Sequence, residues 1–289
     1  MEYMCRLFDT VILSTWDEDK GKLPAQNYEV IYNKKPSNPG FSNRNYQRFS
    51  TSQGLKLAES LGCTHILKWR TDMLPTKLDI GKLLEWSSCK VPAGADSRIV
   101  MSAFRNLTVD PDCFSSFPDL FAFGSAKMMK ILWDDYGFDY SKPFNLPPDM
   151  IDEYKIEVNN DEIWMNGGNY TDCYDAHVEL YAHFKYRMQR QLNKKLSHFS
   201  IAKDVLYLIN HKRLGICWFG PKEGFRSITQ ALQHPWWTEM TWKMGKPFVN
   251  EPGYPEKFWW QKIKRKITPY IVKSEIAKEE SWYKEHLNG

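Results

Sequence analysis

The chain has 289 residues, 39 of them basic and 35 acidic, so its formal net charge is +4. A hydrophobic share of 42% and a charged share of 26% are the mix of a soluble globular protein. Residues 254–273 carry six Lys or Arg and one Glu, a net charge of +5, and the remaining 269 residues sum to −1. This distribution excludes a nucleic-acid-binding face that extends over the whole protein.

The sequence carries no signal for export or for crossing a membrane. It has no run of about 18 apolar residues, and its first residues lack the charged start, apolar stretch and cleavage site of a signal peptide. None of the six cysteines forms a C-x-x-C pair, which argues against a structural zinc site. We therefore expect a cytoplasmic protein with reduced thiols.

Strand and helix patterns alternate along residues 1–140. In chain order, the periodicities predict strands at 8–14 and 28–32, a helix at 43–61, a strand at 65–69, a helix at 78–86, strands at 98–104 and 120–123, and a helix at 125–136. This alternation predicts an α/β sandwich with a largely parallel sheet. Ligands of such sheets bind beyond the carboxyl ends of the strands, so the polar groups after the first and third strands are the first candidates for chemistry.

The second half of the chain is less regular. Residues 137–175 are rich in Pro, Asn, Asp and Gly, and we predict a loop there that would serve as a lid or bind an acceptor. Helices are predicted at 176–191 and 201–210, and a late strand at 213–219. We interpret residues 1–224 as the main domain and residues 225–289 as a C-terminal extension.

Asp72 follows the predicted strand 65–69 in the segment Lys68-Trp69-Arg70-Thr71-Asp72. A carboxylate in this position can hold a divalent metal that bridges phosphates, and Arg70 supplies a planar fork that matches a phosphate. In an extended strand, positions 68, 70 and 72 share one face. The spacing alone leaves a salt bridge at the strand end as an equal alternative.

Two arginines lie on the predicted helix 43–61, for which Asn43 is the expected N-cap and Gly62 the stop. Arg44 and Arg48 are four residues apart and share one side of the helix, where they could reach a pyrophosphate. Spacing alone favours a solvated helix face instead. The apolar face of the helix is expected to consist of Tyr46, Phe49, Leu57, Ala58 and Leu61.

Several segments, taken in order, resemble a known family. They are VILSTW at 11–16, NRNYQRFSTSQGLKLA at 43–58 and ILKWRTDM at 66–73, followed by FPDLFAFGSAKMMKILW at 117–133 and HVELYAHF at 177–184. This ordered set, which covers most of residues 8–185, is similar to the WavE family of lipopolysaccharide-synthesis proteins. The chain departs from the family pattern at Tyr46-Gln47-Arg48, where Arg-Gln is expected, and at Val178, where a Pro often precedes the Glu.

The resemblance implies a GT-A-like fold, which is a nucleotide-sugar-binding sandwich with a mostly parallel central sheet, here with a C-terminal helical extension. It implies that residues 1–224 are a glycosyltransferase domain that moves a sugar from a nucleotide-sugar donor to a growing cell-surface glycan or glycolipid, of the lipopolysaccharide or capsule type. Asp72 would bind Mg²⁺ or Mn²⁺ and the donor diphosphate. Ser14, Thr15 and Trp16 would lie at the nucleobase and ribose. The other donor-binding residues would be Arg44, Arg48, Lys68 and Arg70.

Glycosyl transfer with inversion needs a base for the acceptor hydroxyl, normally a carboxylate, whereas a retaining enzyme would not need the same base. Glu179, at the start of the predicted helix 176–191, is the first candidate. Stabilisation of the helix start, where the dipole favours a carboxylate, is an equal alternative for this residue. Asp119 is the second candidate, with stabilisation of the turn before the strand 120–123 as its alternative.

The basic part of the extension has apolar residues at roughly helical spacing. Residues 256–273 combine six Lys or Arg with Trp259, Ile263, Ile267, Tyr270 and Ile271. A basic amphipathic helix with Trp on its apolar side suits an anionic membrane surface, which predicts a peripheral location on the inner face of the membrane. A helix docked on the main domain, with its lysines in water, is an equal alternative.

Two other functions compete with glycosyl transfer. A sugar-phosphate nucleotidyltransferase can share the sandwich, but no Gly-rich signature with Arg or Lys follows the first strand, where the sequence is STWDEDKGKLP. A non-catalytic binding protein, for nucleic acid through the tail, is disfavoured by the near-neutral remainder of the chain. We therefore expect no nucleic-acid partner.

Overall fold

A computed structural model describes residues 2–24, 27–40, 43–75, 77–102, 121–159, 162–165, 168–169, 176–197, 200–209, 216–220 and 224–227. The helices are α1 (Glu2–Leu7), α2 (Arg44–Ser60), α3 (Ile80–Ser88), α4 (Ala126–Trp133), α5 (Pro148–Tyr154) and α6 (Ala176–Leu192). The strands are β1 (Ile12–Trp16), β2 (Glu29–Asn33), β3 (His65–Lys68), β4 (Met73–Pro75), β5 (Ile99–Ser102), β6 (Ala122–Ser125), β7 (Ile156–Asn159), β8 (Glu162–Met165), β9 (Gly168–Asn169), β10 (Leu206–Ile209), β11 (Ile216–Gly220) and β12 (Gly224–Ser227).

Four strands form the central sheet in the order β10-β5-β6-β3. β10 is parallel to β5, whereas β6 is antiparallel to both β5 and β3. The expected α/β fold with parallel strands is confirmed. A mostly parallel sheet does not hold for the described strands, among which β10–β5 and β1–β2 are the parallel pairs. The reason is that β6 runs back between β3 and β5, so that α4 starts beside the amino end of β3, where Ala126 N–H donates to the Thr64 carbonyl at 2.9 Å.

The central sheet carries helices on both faces because its side chains alternate with a period of two. One face packs against α2, α4 and α6 through Ile66, Ile99, Met101, Ala122, Leu206 and Leu208. The other face packs against α3 through Leu67, Val100, Phe121, Phe123, Tyr207 and Ile209. Full burial of a large apolar side chain contributes about 1.5–3 kcal/mol, so these two clusters hold the three layers together.

β1 and β2 form a separate two-stranded parallel sheet against α2. Ser14 Oγ donates to the Ser50 carbonyl at 2.7 Å, and Ser50 Oγ donates to the Ser14 carbonyl at 3.0 Å, so strand and helix are joined by two reciprocal hydrogen bonds. The first strand lies at 12–16 rather than at 8–14, because this stretch pairs in register with β2, with Trp16 opposite Asn33. Trp16 is therefore the last residue of the strand.

Helix α2 has the predicted bounds to within one residue but buries a different face. Its stop is Gly62, whose φ of +75° is in the left-handed region that glycine adopts without a side-chain penalty. Asn43 stands at the N-cap but makes no side-chain cap hydrogen bond. The buried residues are Arg44, Asn45, Arg48, Ser52, Leu55 and Ala58. Of the predicted apolar face, Ala58 is the buried member, and Leu61 is 50% exposed. The two arginines thus face the interior of the protein and not solvent.

Two predicted segments have other structures. The loop predicted over 137–175 contains α5, in which Pro148 is accepted at the helix start because its missing N–H is not needed there. The same loop contains β7 and β8, which pair as an antiparallel hairpin, and β9. The helix predicted over 201–210 is a π-helical turn (Ile201–Val205) followed by β10, which pairs with β5 in the interior. A short apolar run does not by itself distinguish a helix from a buried strand.

A second antiparallel sheet follows β10 along the chain. β11 pairs with β4 on one side and with β12 on the other. β12 lies across the predicted boundary between residues 224 and 225. The rest of the predicted extension, with its basic amphipathic helix, lies outside the described residues. Within the described ranges, no helix is long and apolar enough to cross a membrane.

Candidate functional site

The turn after β3 presents Arg70 and Asp72 at the edge of the central sheet. Asp72 accepts two hydrogen bonds from Arg70, from Nε at 2.9 Å and from Nη2 at 2.7 Å. The Met73 N–H donates to the Arg70 carbonyl at 3.2 Å, and the Trp69 indole donates to the Met73 carbonyl at 2.8 Å, which fixes the turn. The side chains of Arg70 and Asp72 are 33% and 32% exposed. The salt bridge at the strand end is therefore present, and both charged groups remain accessible to solvent.

Asp72 is a hard oxygen ligand of the kind that Mg²⁺ and Mn²⁺ prefer. Magnesium usually keeps several waters and binds through one or two carboxylates together with substrate phosphates. A single accessible carboxylate fits that shared mode of binding. Both oxygens of Asp72 accept from Arg70, so a cation would compete with this guanidinium. Among the described residues, no group of three or more His, Cys, Asp and Glu side chains could hold a metal ion.

The carboxyl ends of β1 and β2 are joined by a buried amide. Asn33, which is 6% exposed, donates to Ser14 Oγ at 2.9 Å and to the Thr15 carbonyl at 2.8 Å. Thr15 donates its hydroxyl to Asp19, and this hydrogen bond holds the pKa of Asp19 below its ordinary value. Ser14 and Thr15, predicted at the nucleobase and ribose, thus have protein partners for their hydroxyl groups.

The first two turns of α2 contact the end of β1 and the end of α4. In the first turn, the Tyr46 ring lies 5.3 Å from the ring of Trp16. In the second turn, the Arg48 guanidinium lies 5.4 Å from the centre of the Trp133 ring, and Lys68 Nζ at the end of β3 lies 4.9 Å from the same ring. These are cation–π distances. Trp16, a predicted site residue, therefore contacts α2, whereas Lys68, another, contacts the last residue of α4.

Arg44 and Glu179 form an ion pair in the interior, with 3.2 Å between Arg44 Nη1 and Glu179 Oε2 and with each side chain 3% exposed. The same Glu179 oxygen accepts the Asn145 N–H at 2.8 Å. Burial raises the pKa of Glu179, and the nearby guanidinium of Arg44 acts in the opposite direction. Glu179, the predicted base, and Arg44, a predicted pyrophosphate ligand, are therefore both closed off from solvent.

Residues 134–147, which we call the strap, connect α4 to α5 and are fastened to α2 and α6. Asn45 of α2 donates its amide to the Lys142 carbonyl at 2.7 Å. Nε2 of His183 on α6 lies 3.0 Å from the Asn145 carbonyl. Burial and two nearby arginines lower the pKa of His183 well below its ordinary value, so the ring is neutral and donates to that carbonyl. The first part of the predicted lid is thus tied to the body of the protein.

Arg48 and Arg187 bind the last carbonyls of α4. Arg48 Nη1 donates to the Leu132 carbonyl at 2.9 Å, and Arg187 Nη1 donates to the Ile131 carbonyl at 3.2 Å. Such carbonyls have no partner within their own helix, and cations near a helix C-terminus also interact favourably with its dipole. Burial and the charge of Arg48 lower the pKa of Arg187 to about 10, so it stays charged at neutral pH. Arg48 is 3% exposed, so it stabilises the end of α4 and is not accessible to a ligand in solvent.

Sequence reasoning missed two residues that complete this interior network. His183 had a usable signal, since it stands four residues after Glu179 and such residues share one face of a helix. Asn145 had none, because it acts through its backbone N–H and carbonyl. Asp119, the second predicted base, lies outside the described residues.

The described residues thus form a mixed α/β fold with polar groups at the carboxyl end of β1 and, in a separate sheet, after the carboxyl end of β3. No family model, curated protein or solved structure matches the chain. Its likeness to the WavE family therefore rests on the ordered motifs.

Proposed function

We propose that the protein is a glycosyltransferase with a GT-A-like domain, which moves a sugar from a nucleotide-sugar donor to a growing cell-surface glycan. The observation that carries the proposal is the accessible, doubly hydrogen-bonded pair of Arg70 and Asp72 in the turn after β3, the edge strand of the central sheet. Ligands of open α/β sheets bind at this position. The segments that resemble the WavE family include β1, α2, β3, β6, α4 and α6.

In the proposed complex, Arg70 turns its guanidinium from Asp72 to the donor diphosphate. The guanidinium fork binds phosphate oxygens in the same bidentate geometry that it uses for a carboxylate. Asp72 is then available to hold Mg²⁺ or Mn²⁺, an ion that offsets the charge developing on the nucleoside diphosphate leaving group. Lys68 adds a positive charge at the same strand end, and Trp16 offers its ring for stacking on the nucleobase.

We propose Asp119 as the base if the transfer inverts the anomeric centre. Lys68 at the end of β3 pairs with Ala122, and Asp119 precedes Ala122 by three residues. Asp119 therefore stands close in sequence to the residue that pairs with the end of β3.

The basic extension is proposed to hold the enzyme at an anionic membrane surface, where a lipid-linked acceptor would lie. Its support is the +5 charge of residues 254–273 together with the helical spacing of their aromatic and aliphatic side chains. Flotation with anionic liposomes tests this part. The full chain should float and a chain that ends at Gly253 should not, whereas equal flotation of the two folded proteins contradicts membrane binding.

A panel of nucleotide sugars, offered with Mg²⁺ or Mn²⁺ and followed by calorimetry and nucleotide release, tests the proposed activity. We expect the wild type to bind one donor class and Asp72→Asn to bind it about tenfold more weakly or worse, because a charged ligand of the metal and diphosphate is lost. Glu59→Gln is the matched control. Glu59 also forms an exposed ion pair, with Lys130 at 3.0 Å, but it lies in the last turn of α2. Its donor affinity should equal that of the wild type.

Each of the other possible outcomes leads to a different conclusion. Full, metal-dependent donor affinity in a folded Asp72→Asn variant contradicts the role given to Asp72. Release of pyrophosphate from a nucleoside triphosphate identifies a sugar-phosphate nucleotidyltransferase instead. Binding of no nucleotide sugar by the wild type rejects the proposal as a whole.

A further inference from the structure

We infer that Glu179 is a positioning residue of the candidate site and not its general base. Through Arg44 and Asn145, it holds the first turn of α2 and the strap in one arrangement. A general base must come within about 2.6–3.2 Å of the group whose proton it removes. Glu179 is 2% exposed, and its Oε2 already accepts from a guanidinium and from a backbone N–H. The inference rests on the proposed function where it concerns the donor, and on the described contacts alone where it concerns the strap.

Three consecutive residues of α2 connect the buried ion pair to the strap and to the end of β1. Arg44 pairs with Glu179. Asn45 donates to a strap carbonyl at 2.7 Å. Tyr46 lies 5.3 Å from the ring of Trp16 at the end of β1. The hydrogen-bonded backbone of a helix makes its turns cooperative, so a displacement at Arg44 is passed on to Tyr46 and to the ring that it contacts.

The same carboxylate holds the strap from the side of α6. Glu179 accepts the Asn145 N–H at 2.8 Å, and His183, one turn further along α6, contacts the Asn145 carbonyl at 3.0 Å. α6 therefore binds both backbone polar groups of one strap residue. The strap and α2 also fit closely at Gly40, where a Cβ would lie 2.6 Å from Arg44 Cγ and 2.9 Å from a strap carbonyl oxygen. Little space is left for Arg44 to move while the strap is in place.

Hydrogen exchange of the full chain at neutral pH, read by mass spectrometry, tests the mechanical part. Glu179→Gln keeps the size of the side chain but removes the negative charge that Glu179 presents to the buried Arg44. We expect exchange in residues 43–48 and in the strap to become about tenfold faster or more, while α3 stays unchanged. Glu153→Gln is the matched control, because it removes a 3.2 Å pair with Lys185 on the same helix α6 and should leave both regions unchanged.

A double variant shows whether charge pairing does the positioning. Arg44→Gln with Glu179→Gln replaces the ion pair by two neutral amides, so no buried charge is left unpaired. It should exchange more slowly in residues 43–48 than either single variant, and it should recover folding if a single variant unfolds. Wild-type exchange in a folded Glu179→Gln variant overturns the inference. A double variant that is no better than the singles overturns it as well.

The donor part is read from the kinetics of Glu179→Gln. A positioning role predicts that KM for the donor rises about tenfold while kcat and its pH profile stay within about twofold of the wild type. Loss of a general base would instead lower kcat by about 10²–10⁴-fold at an unchanged KM, and this result overturns the inference. If the wild type transfers no sugar, the proposed function fails, and the exchange comparison still decides whether Glu179 holds the turn.

Discussion

Two arginine–carboxylate pairs of this protein have the same chemistry and opposite surroundings. Arg44 and Glu179 share one contact of 3.2 Å, and both side chains are 3% exposed. Arg70 and Asp72 share two contacts, of 2.9 and 2.7 Å, and about a third of each side chain is exposed. The buried pair joins helices whose residues are 135 positions apart, whereas the open pair lies within one turn, two positions apart.

The surroundings decide what each pair can do. In the interior, water cannot replace a lost partner, so an unpaired charge is costly and the pair behaves as one structural unit. At the surface, solvent and salt screen the charges, and an ion pair contributes about 0–1 kcal/mol. Under the proposed function, Arg70 and Asp72 would therefore exchange each other for a phosphate and a cation at small cost. In this protein, the weaker pair is the better candidate for binding a ligand.

The largest effect on stability is expected for Glu179→Ala. The substitution removes the carboxylate that pairs with the buried Arg44, and breaking a buried pair in this way costs about 3–5 kcal/mol in the free energy of unfolding. Urea denaturation measures this loss. Glu59→Ala breaks an exposed pair with Lys130 and should cost about 0–1 kcal/mol. Equal losses in the two variants would show that burial does not distinguish these pairs.

A smaller effect, dependent on pH, is expected from His183 in the same interior. Burial, Arg48 and Arg187 hold the pKa of His183 well below its ordinary value of 6.5, so above this pH the ring is neutral in both the folded and the unfolded chain. As the pH falls below 6.5, His183 binds a proton in the unfolded chain but stays neutral in the folded chain. The free energy of unfolding then falls by up to about 1.4 kcal/mol per pH unit.

The measurement has to separate the contribution of His183 to the pH dependence of the unfolding free energy from that of Glu179. Burial raises the pKa of Glu179, so this carboxyl opposes the trend as it binds its proton more tightly in the folded chain. The quantity to follow is therefore the difference in unfolding free energy between the wild type and His183→Gln, which should shrink from about pH 7 to pH 5. A constant difference for His183→Gln would contradict the prediction.

The smallest effect on stability is expected for Asp72→Asn. Its pair with Arg70 is open to solvent, so the loss should stay below about 1 kcal/mol. Urea denaturation beside a donor-binding measurement on the same preparation checks this. A loss of several kcal/mol would mean that Asp72 is a structural residue like Glu179, and the contrast between the two pairs would disappear.

Sequence periodicity located several elements well. The predicted bounds of α2, α6, β2 and β3 differ from the observed ones by one residue or less at each end, because their patterns are long or strongly apolar. Periodicity did not find the orientation of α2. Its buried face begins with Arg44 and Arg48, whose partners are 135 and 84 positions away, and such partners leave no trace in a local pattern.

The sequence predicted those parts of the candidate site whose residues are close together in the chain. Arg70 and Asp72 are two positions apart, so the strand pattern before them and their own charges were enough to place them together. The strand that ends in Trp16 was also found, although its bounds moved with the register of β2. The sequence predicted that Glu179 is a carboxylate near the start of a helix. It did not predict its partners, Arg44 on α2 and Asn145 on the strap, because both are distant in the chain.

The sequence by itself determined most of the regular elements, the concentration of positive charge in residues 254–273, and the Arg–Asp pair after β3. The tertiary structure alone decided which charges lie in the interior and which remain at the edge. The physical reason is that the cost of removing a charge from water depends on the elements that close around it. Those elements come from distant parts of the chain, so one arginine, Arg44, lies buried in an ion pair and another, Arg70, remains accessible to solvent.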